Sequence, residues 1–405
     1  MGLLDRIVGS RQDRFARQVL TEVRRLGTAE ATYHPADFSI AFRRGPGDGE
    51  GGVVYLSNVF RECRGASRAE RRQRILQLVS SVIAIDQVPD TWAQARGRLR
   101  PVLRAVTFGQ AEATGRLTLL SRPAFPFLAE LVVIDEPTAM AYVTVAQTRE
   151  WGVPAVEVFE AVHANLTLLA GGSDGLAADR PPGQGPALLR FVDDGDAYYV
   201  SRLLLDGWLA GLATDVGGRP VAFVPDHNTL IVTADRPDSL GALFELVEQE
   251  YTDAVRPISP QAYTVDPYGK VTTYAAPDGH PVAAAVHRAA TILAAAEYRS
   301  QQEWLEAEHE RDGADTFVAT LTVATRPGGP TISYAVWPDG VDTLLPRAEY
   351  VSFASDHGSF FVPWQTLERE VDLVPVADLT PERYRLTAWP PPPVVERLKA
   401  QASQP

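Results

Sequence analysis

The chain has 405 residues, of which 45% are hydrophobic and 22% are charged, and its formal net charge is −13. This length and apolar content predict a folded protein of two or three domains, and the moderate charged fraction excludes a wholly disordered chain. An acidic chain is poorly suited to neutralising phosphates, so no nucleic-acid partner is expected. One basic stretch stands out, at residues 68–74.

A single cysteine, Cys63, excludes an intrachain disulfide and a cysteine-based zinc site. Its arginine neighbours would favour a reactive thiolate, but a small buried hydrophobe is the favoured interpretation. No apolar run is long enough to span a bilayer, and residues 1–6 carry an acid early, unlike a secretory signal. We therefore expect a cytoplasmic protein with no membrane partner.

The N-terminal part is predicted to begin with a helix over residues 12–26, whose apolar residues recur at helical spacing. Two strands flank a Gly-rich loop at residues 45–52. Ser67 and Glu70 have the spacing of a capping box, which predicts the start of a second helix there. Its apolar stripe runs from Ile75 to Ile83.

A unit of strand, turn, strand and helix recurs along the chain. Its three copies comprise residues 38–42, 53–56 and 75–83, then 131–135, 140–144 and 156–169, then 221–224, 229–233 and 240–251. This order predicts an α+β fold with mixed or antiparallel sheets and helices packed on one face. It argues against a doubly wound parallel sheet, in which strands and helices would alternate.

The remaining elements divide the chain into three regions. A Gly/Pro/Asp-rich linker at residues 171–187 and a breaker cluster at 277–281 separate regions 1–170, 186–276 and 277–405. The second region is predicted to contain one helix over residues 198–212 and another that begins at Pro237. The third is predicted to contain a long helix from residue 282 to about 309 on an antiparallel sheet.

Two motifs suggest chemistry but lack the required context. The G-x-S-x-G pattern at residues 171–175 follows a helix and precedes the linker, whereas a nucleophile elbow lies between a strand and a helix. An acidic run at residues 193–196 would need a glutamate at its twelfth position to form a calcium loop, and that position is Leu204. We therefore predict no cofactor and assign no catalytic residue.

Two histidines lie beside aspartates between extended segments, in Asp226-His227-Asn228 and in Asp356-His357-Gly358. Such a pair could orient an imidazole as a general base. Asp, Asn and Gly are also the residues that tight hairpins require, and this interpretation is favoured. His280 and His287 are seven residues apart and could share a helix face, but a metal would need a third ligand, so no metal site is predicted.

A candidate polar binding cluster remains. Ser201 and Arg202 could hold a carboxylate or phosphate through fork-like hydrogen bonds, although bracing a helix start is favoured. Asn165 is expected to hydrogen-bond a neighbouring strand, and Trp151 to cover a helix start. The full candidate set consists of Trp151, Asn165, Ser201, Arg202, Asp226 and His227.

Several stretches together resemble the YtpQ-like family of bacterial proteins of unknown function. They are RPVLR at 100–104, LVVID at 131–135, WGV at 151–153, ANL at 164–166, YVSRLL at 199–204 and VPDH at 224–227. The resemblance covers about residues 12–275 and rests on the order and the residue character of these stretches, with no single diagnostic motif. Family members commonly have an arginine soon after the proline where this chain has Asp226-His227, so this turn departs from the pattern. The resemblance implies a cytoplasmic bacterial α+β protein and supplies no catalytic residue.

Two classes of function follow. A non-catalytic interaction protein, with another protein or a peptide as its partner, fits the repeated units and the lack of a convergent catalytic set. The alternative is a hydrolase or transferase whose unrecognised site uses His227 or His357. The sequence leaves the oligomeric state open.

Overall fold

A computed structural model describes most of the chain. The described residues are 11–25, 30–34, 39–43, 52–63, 65–84, 89, 91–110, 118–136, 139–171, 188–191, 198–277, 279–325 and 329–403. They form two compact units: the first comprises Met1–Pro101 and Val132–Asn165, and the second comprises Val102–Leu131 and Leu166–Pro405. Most of the predicted linker, the acidic run at 193–196 and the Gly-rich loop at 45–51 lie outside the described residues. The predicted three regions therefore stay a prediction.

The elements up to the middle of the chain are runs of helices and runs of strands. In chain order they are α1 (Arg11–Arg25), β1 (Glu30–His34), β2 (Ser39–Arg43), β3 (Gly52–Tyr55), α2 (Ser57–Glu62), α3 (Arg68–Ala84), α4 (Trp92–Ala95), a 3-10 turn (Arg96–Arg98), β4 (Leu99–Ala105), β5 (Ser121–Phe125), β6 (Leu128–Glu136), β7 (Ala139–Tyr142), α5 (Val145–Glu150) and α6 (Ala155–Gly171). Strands β1, β2 and β3 form one antiparallel sheet.

The core of the first unit forms where α1 and α3 bury their apolar stripes. Phe15, Val19 and Val23 of α1 pack with Ile75 and Val79 of α3. The backbone N–H of Ser67 donates to Glu70 at 2.8 Å, and the backbone N–H of Glu70 donates to the Ser67 hydroxyl at 3.3 Å. The predicted capping box is therefore confirmed, and it begins α3 where the sequence places it.

The second unit continues with a five-stranded antiparallel sheet and its helices. The elements are β8 (Leu189–Phe191), a 3-10 helix (Val200–Leu204), α7 (Trp208–Gly211), α8 (Ala213–Val216), β9 (Pro220–Asp226), β10 (Thr229–Ala234), α9 (Pro237–Asp253), β11 (Pro257–Val265) and β12 (Val271–Thr273). The strand order is β12-β11-β9-β10-β8. Both faces are buried: Val221 and Phe223 pack under α9, and Ala222 and Val224 pack with the short helical segments.

The C-terminal part of this unit places one long helix against two small sheets. Its elements are α10 (Ala283–Asp312), β13 (Phe317–Val318), β14 (Thr322–Thr325), β15 (Thr331–Pro338), β16 (Thr343–Pro346), β17 (Tyr350–Ser355), β18 (Gly358–Pro363), α11 (Trp364–Glu370), β19 (Arg383–Leu386) and α12 (Pro392–Ala400). The sheets have orders β14-β15-β17-β18 and β13-β16-β19. Two pairs, β15 with β17 and β13 with β16, are parallel. The predicted α+β class with mixed and antiparallel sheets is confirmed.

Two local predictions are wrong. The single helix over residues 198–212 is a 3-10 helix followed by α7, because Leu205 is extended and Gly207 has φ 79°, a left-handed conformation that glycine adopts without strain. The sheets of the third region are not purely antiparallel, because β17 runs parallel to β15. Between these two strands the chain passes through β16, which belongs to the other sheet, and then returns to the sheet of β15.

Candidate functional site

The Asp226-His227 pair lies in the turn between β9 and β10. Oδ1 of Asp226 accepts a hydrogen bond from the Asn228 backbone N–H at 2.7 Å, and Oδ2 accepts one from the Thr229 hydroxyl at 3.1 Å. Both carboxylate oxygens are therefore engaged inside the turn, in the manner of an Asx-turn. This confirms the hairpin interpretation of these residues.

The His227 side chain is mostly buried at this turn, and part of the residue remains exposed. Burial lowers the pKa of His227 to about 4, with the positive charges of Arg256 and Arg104 acting in the same direction and Asp226 opposing them. The imidazole is consequently neutral at pH 7. A general base works best when its pKa lies near the working pH, so His227 is poorly matched to that role.

Ser201 and Arg202 lie in the 3-10 helix and are almost completely buried. The guanidinium carbon of Arg202 lies 4.3 Å from the ring centroid of Tyr199 and 5.8 Å from that of Trp208. The guanidinium of Arg202 therefore lies close to two aromatic rings inside the second unit, and the residue is only 1% exposed. This placement agrees with the bracing interpretation.

Trp151 and Asn165 belong to the first unit, whereas the other four candidates belong to the second. The indole N–H of Trp151 donates to the Pro89 carbonyl at 3.0 Å. The Asn165 amide donates to the Arg96 carbonyl at 2.7 Å and to the Leu99 carbonyl, at the start of β4, at 3.0 Å. The predicted bond from Asn165 to a neighbouring strand is confirmed, and both polar groups serve the fold of their own unit.

A second histidine cluster has the composition of a catalytic triad but not its order. Nε2 of His287 lies 2.9 Å from Oε1 of Glu349, and the Ser333 hydroxyl donates to Oε2 of the same carboxylate at 3.1 Å. In a working triad the histidine must lie between the nucleophile and the acid. Here the carboxylate lies in the middle, so the histidine cannot take the serine proton. Among the described residues, no group of His, Cys, Asp and Glu could hold a metal.

Glu297 of α10 is a buried carboxyl that the sequence does not reveal. It accepts hydrogen bonds from the Thr107 hydroxyl at 2.8 Å and from the Thr107 backbone N–H at 3.2 Å. Burial raises the pKa of Glu297 to about 7, although these two bonds act in the opposite direction. The residue thus has a charge that changes near neutral pH, inside the second unit.

An open cleft of about 870 Å³ lies in the first unit, where α1 and α3 meet the end of α2. Its lining residues are mostly polar or aromatic; they are Arg11, Gln12, Arg14, Phe15, Gln18, Phe60, Cys63, Gly65 and Arg71. None of the described residues that line the cleft is acidic. The Phe15 and Phe60 rings meet edge to face at 5.3 Å and form an apolar base.

Cys63 is the only titratable nucleophile among these lining residues. It is 3% exposed, and burial raises the pKa of its thiol despite the nearby Arg74 and Arg71 charges. The thiol is therefore protonated at neutral pH, as the hydrophobe interpretation requires. The sequence indicated the basic stretch at 68–74, but not that Arg11 and Arg14 would join it, because that depends on how α1 packs on α3.

No family model, curated protein sequence or solved structure matches this chain. Within the described part of the chain, no helix is long and apolar enough to cross a membrane.

Proposed function

We propose that this protein is a non-catalytic binding protein whose partner is another protein or a peptide. The observation that supports it is the lining of the cleft in the first unit. Arginine side chains are cations with no acceptor and glutamine side chains are neutral amides, so neither type serves as a general base. Its thiol is buried and protonated. Such a surface binds charged and apolar groups but has no means of moving a proton.

The alternative, a hydrolase or transferase, draws less support from the same residues. His227 has a pKa of about 4 and lies in a turn whose aspartate is already engaged. His357 is exposed in the turn between β17 and β18, where its backbone N–H donates to the Ser355 hydroxyl at 3.3 Å. Within the described ranges of the chain, neither histidine has a side-chain hydrogen bond to the second and third polar groups that a catalytic site needs.

We also propose a cytoplasmic location and membership of the YtpQ-like family. The location is supported by the single, buried cysteine, since exported proteins of this size often carry disulfides. The family is supported by the stretches between residues 100 and 227 that resemble it.

The test is affinity purification of the tagged full-length chain from its own cells, with mass spectrometry of what is retained. A candidate partner is then produced separately and titrated against the purified chain by calorimetry. We expect saturable binding with a fixed stoichiometry. If repeated purifications yield no protein or peptide that rebinds, the proposal is wrong.

A further inference from the structure

The cleft lies between two arginine-rich helices of a chain whose net charge is −13. Helix α1 carries five arginines against two acidic residues, and residues 68–74 carry four arginines against one. The acids are already engaged: Asp13 accepts from the Tyr33 hydroxyl at 2.9 Å, Glu22 pairs with Arg25 at 2.7 Å, and Glu70 completes the capping box. Both helices that line the cleft therefore carry more arginines than acids.

The arginines of the cleft are placed for an anionic partner. Arg11 and Arg14 come from α1, and Arg71 comes from α3, so positive charge lines the cleft from two helices. All three residues are exposed. A guanidinium presents a planar fork of donors that matches a carboxylate, and such charge-assisted hydrogen bonds are stronger than neutral ones.

The base of the cleft is suited to an apolar group between those charges. Phe15 is 5% exposed, and its ring packs at 5.3 Å against the Phe60 ring, which remains partly exposed. Gln12 and Gln18 add amide groups that can both donate to and accept from a peptide backbone. Carboxylates, an apolar side chain and a backbone are the parts of an acidic peptide.

We propose that the cleft formed by α1 and α3 binds an acidic peptide segment in which carboxylates flank an apolar side chain. This rests on the proposed binding function and specifies its ligand. Arg11 and Arg71 pair with the carboxylates, and the apolar side chain packs on Phe60. A partner that carries such a segment gains both charge complementarity and burial of apolar area.

A nucleic acid fits the cleft less well than such a peptide. Base stacking needs an exposed aromatic face, whereas Phe15 is buried and Phe60 is only partly exposed. A long polyanion would also extend beyond the cleft, where the net charge of −13 on the chain repels it. A short peptide senses mainly the local charge, because salt screens charges beyond about 8–10 Å.

The test uses a short fluorescein-labelled peptide in which glutamates flank one phenylalanine, titrated with the full-length chain by fluorescence anisotropy. The cleft variant is Arg11→Glu with Arg71→Glu. Its matched control is Arg17→Glu with Arg72→Glu, which makes the same charge change at exposed positions of α1 and α3 outside the cleft lining. We expect the cleft variant to raise the Kd at least about tenfold, and the control to change it by less than about threefold.

Two comparison ligands complete the test, a peptide with lysines in place of the glutamates and a single-stranded oligouridine. The proposal is overturned if the acidic peptide does not bind, if both variants weaken it equally, or if either comparison ligand binds more tightly. The proposed function has a separate outcome. If a native partner rebinds the cleft variant as well as the unaltered chain, the binding function stands and this site for it is wrong.

Discussion

Arginine has opposite roles in two regions of this molecule. In the first unit, Arg11, Arg14 and Arg71 line an open cleft that contains no acid among its described lining residues. In the second unit, Arg383 is fully buried and serves as a structural centre. The same type of side chain is thus exposed to solvent in one place and holds the fold together in the other.

The difference lies in the acceptors that surround each guanidinium. Arg383 donates to the Gln301 amide oxygen at 2.7 Å and to the carbonyls of Ala319, Leu344 and Tyr298 at 2.7, 3.0 and 3.0 Å. Burial lowers its pKa to about 10. Four acceptors, two from α10 and two from the strand region that packs on it, satisfy this buried charge, so the fold already uses its hydrogen-bonding capacity. The cleft arginines Arg11, Arg14 and Arg71 are instead exposed to solvent.

The largest effect is expected on removing the buried arginine. Arg383→Ala leaves four acceptors without their donor and opens a cavity, so we expect a loss of about 3–5 kcal/mol in the free energy of unfolding of the second unit. Arg385→Ala is the control, because Arg385 lies two residues further along β19 and forms an exposed pair with Asp342. It should cost less than about 1 kcal/mol. Urea unfolding monitored by tryptophan fluorescence measures both; equal losses would contradict the distinction.

Glu297 extends the comparison to a buried acid. Its pKa is about 7 in the folded chain and about 4.5 in the unfolded chain, so on raising the pH the unfolded state loses its proton first. The stability that the neutral carboxyl provides is therefore full below pH 4.5 and is lost, by about 3 kcal/mol, as the pH rises to 7. Glu297→Gln keeps an acceptor for Thr107 but cannot ionise. Urea unfolding between pH 4 and 8 should show this decline in the unaltered chain relative to Glu297→Gln; parallel profiles would contradict the buried ionisation.

His227 predicts a pH effect of the opposite sign. Its pKa falls from 6.5 to about 4 on folding, so the unfolded chain takes up the proton first as the pH falls. The stability that the neutral ring provides is present above pH 6.5 and is lost as the pH falls to 4, by on the order of 2 kcal/mol because the ring is partly exposed. His227→Asn should remove that loss. An NMR titration of the His227 ring checks the cause directly, and a pKa near 6.5 would refute it.

The smallest effect is expected on the stability of the cleft variants. Arg11 and Arg71 are exposed, so Arg11→Glu with Arg71→Glu should change the free energy of unfolding by less than about 1 kcal/mol, summed over two surface substitutions. Differential scanning calorimetry beside Arg17→Glu with Arg72→Glu provides the measurement. A clear drop in the stability of the cleft variant alone would mean that these arginines stabilise the fold, as Arg383 does. That result would contradict the distinction between the two regions.

Local signals in the sequence predicted the local structure well. The spacing of Ser67 and Glu70 predicted the start of α3, Pro237 the start of α9, and the Asp226-His227-Asn228 turn a hairpin. Each depends on residues a few positions apart. The prediction of one helix over residues 198–212 is wrong at Gly207, where Asp206-Gly207 interrupts the apolar pattern and is the local signal for the break.

The sites depend on contacts between distant residues, which the sequence does not display. Arg383 and Arg385 occupy equivalent positions in the two-residue repeat of a strand, yet one is buried and the other exposed, because only Arg383 meets Gln301 of α10. The cleft likewise requires that α1 lie against α3. The six candidate residues were chosen from the sequence because their side chains can bind polar ligands. In the structure, several of them instead form hydrogen bonds or packing contacts within the fold.

Hydrogen–deuterium exchange on the full-length chain, with and without the acidic peptide, tests the central claim most directly. Amides differ in protection according to local opening, and a bound ligand suppresses that opening where it binds. We predict added protection in the first turns of α1 and across residues 60–71, with the β9–β10 turn and the region around Arg383 unchanged. Protection centred on Asp226 and His227, or no change at α1 and α3, would contradict the assignment of binding to the cleft.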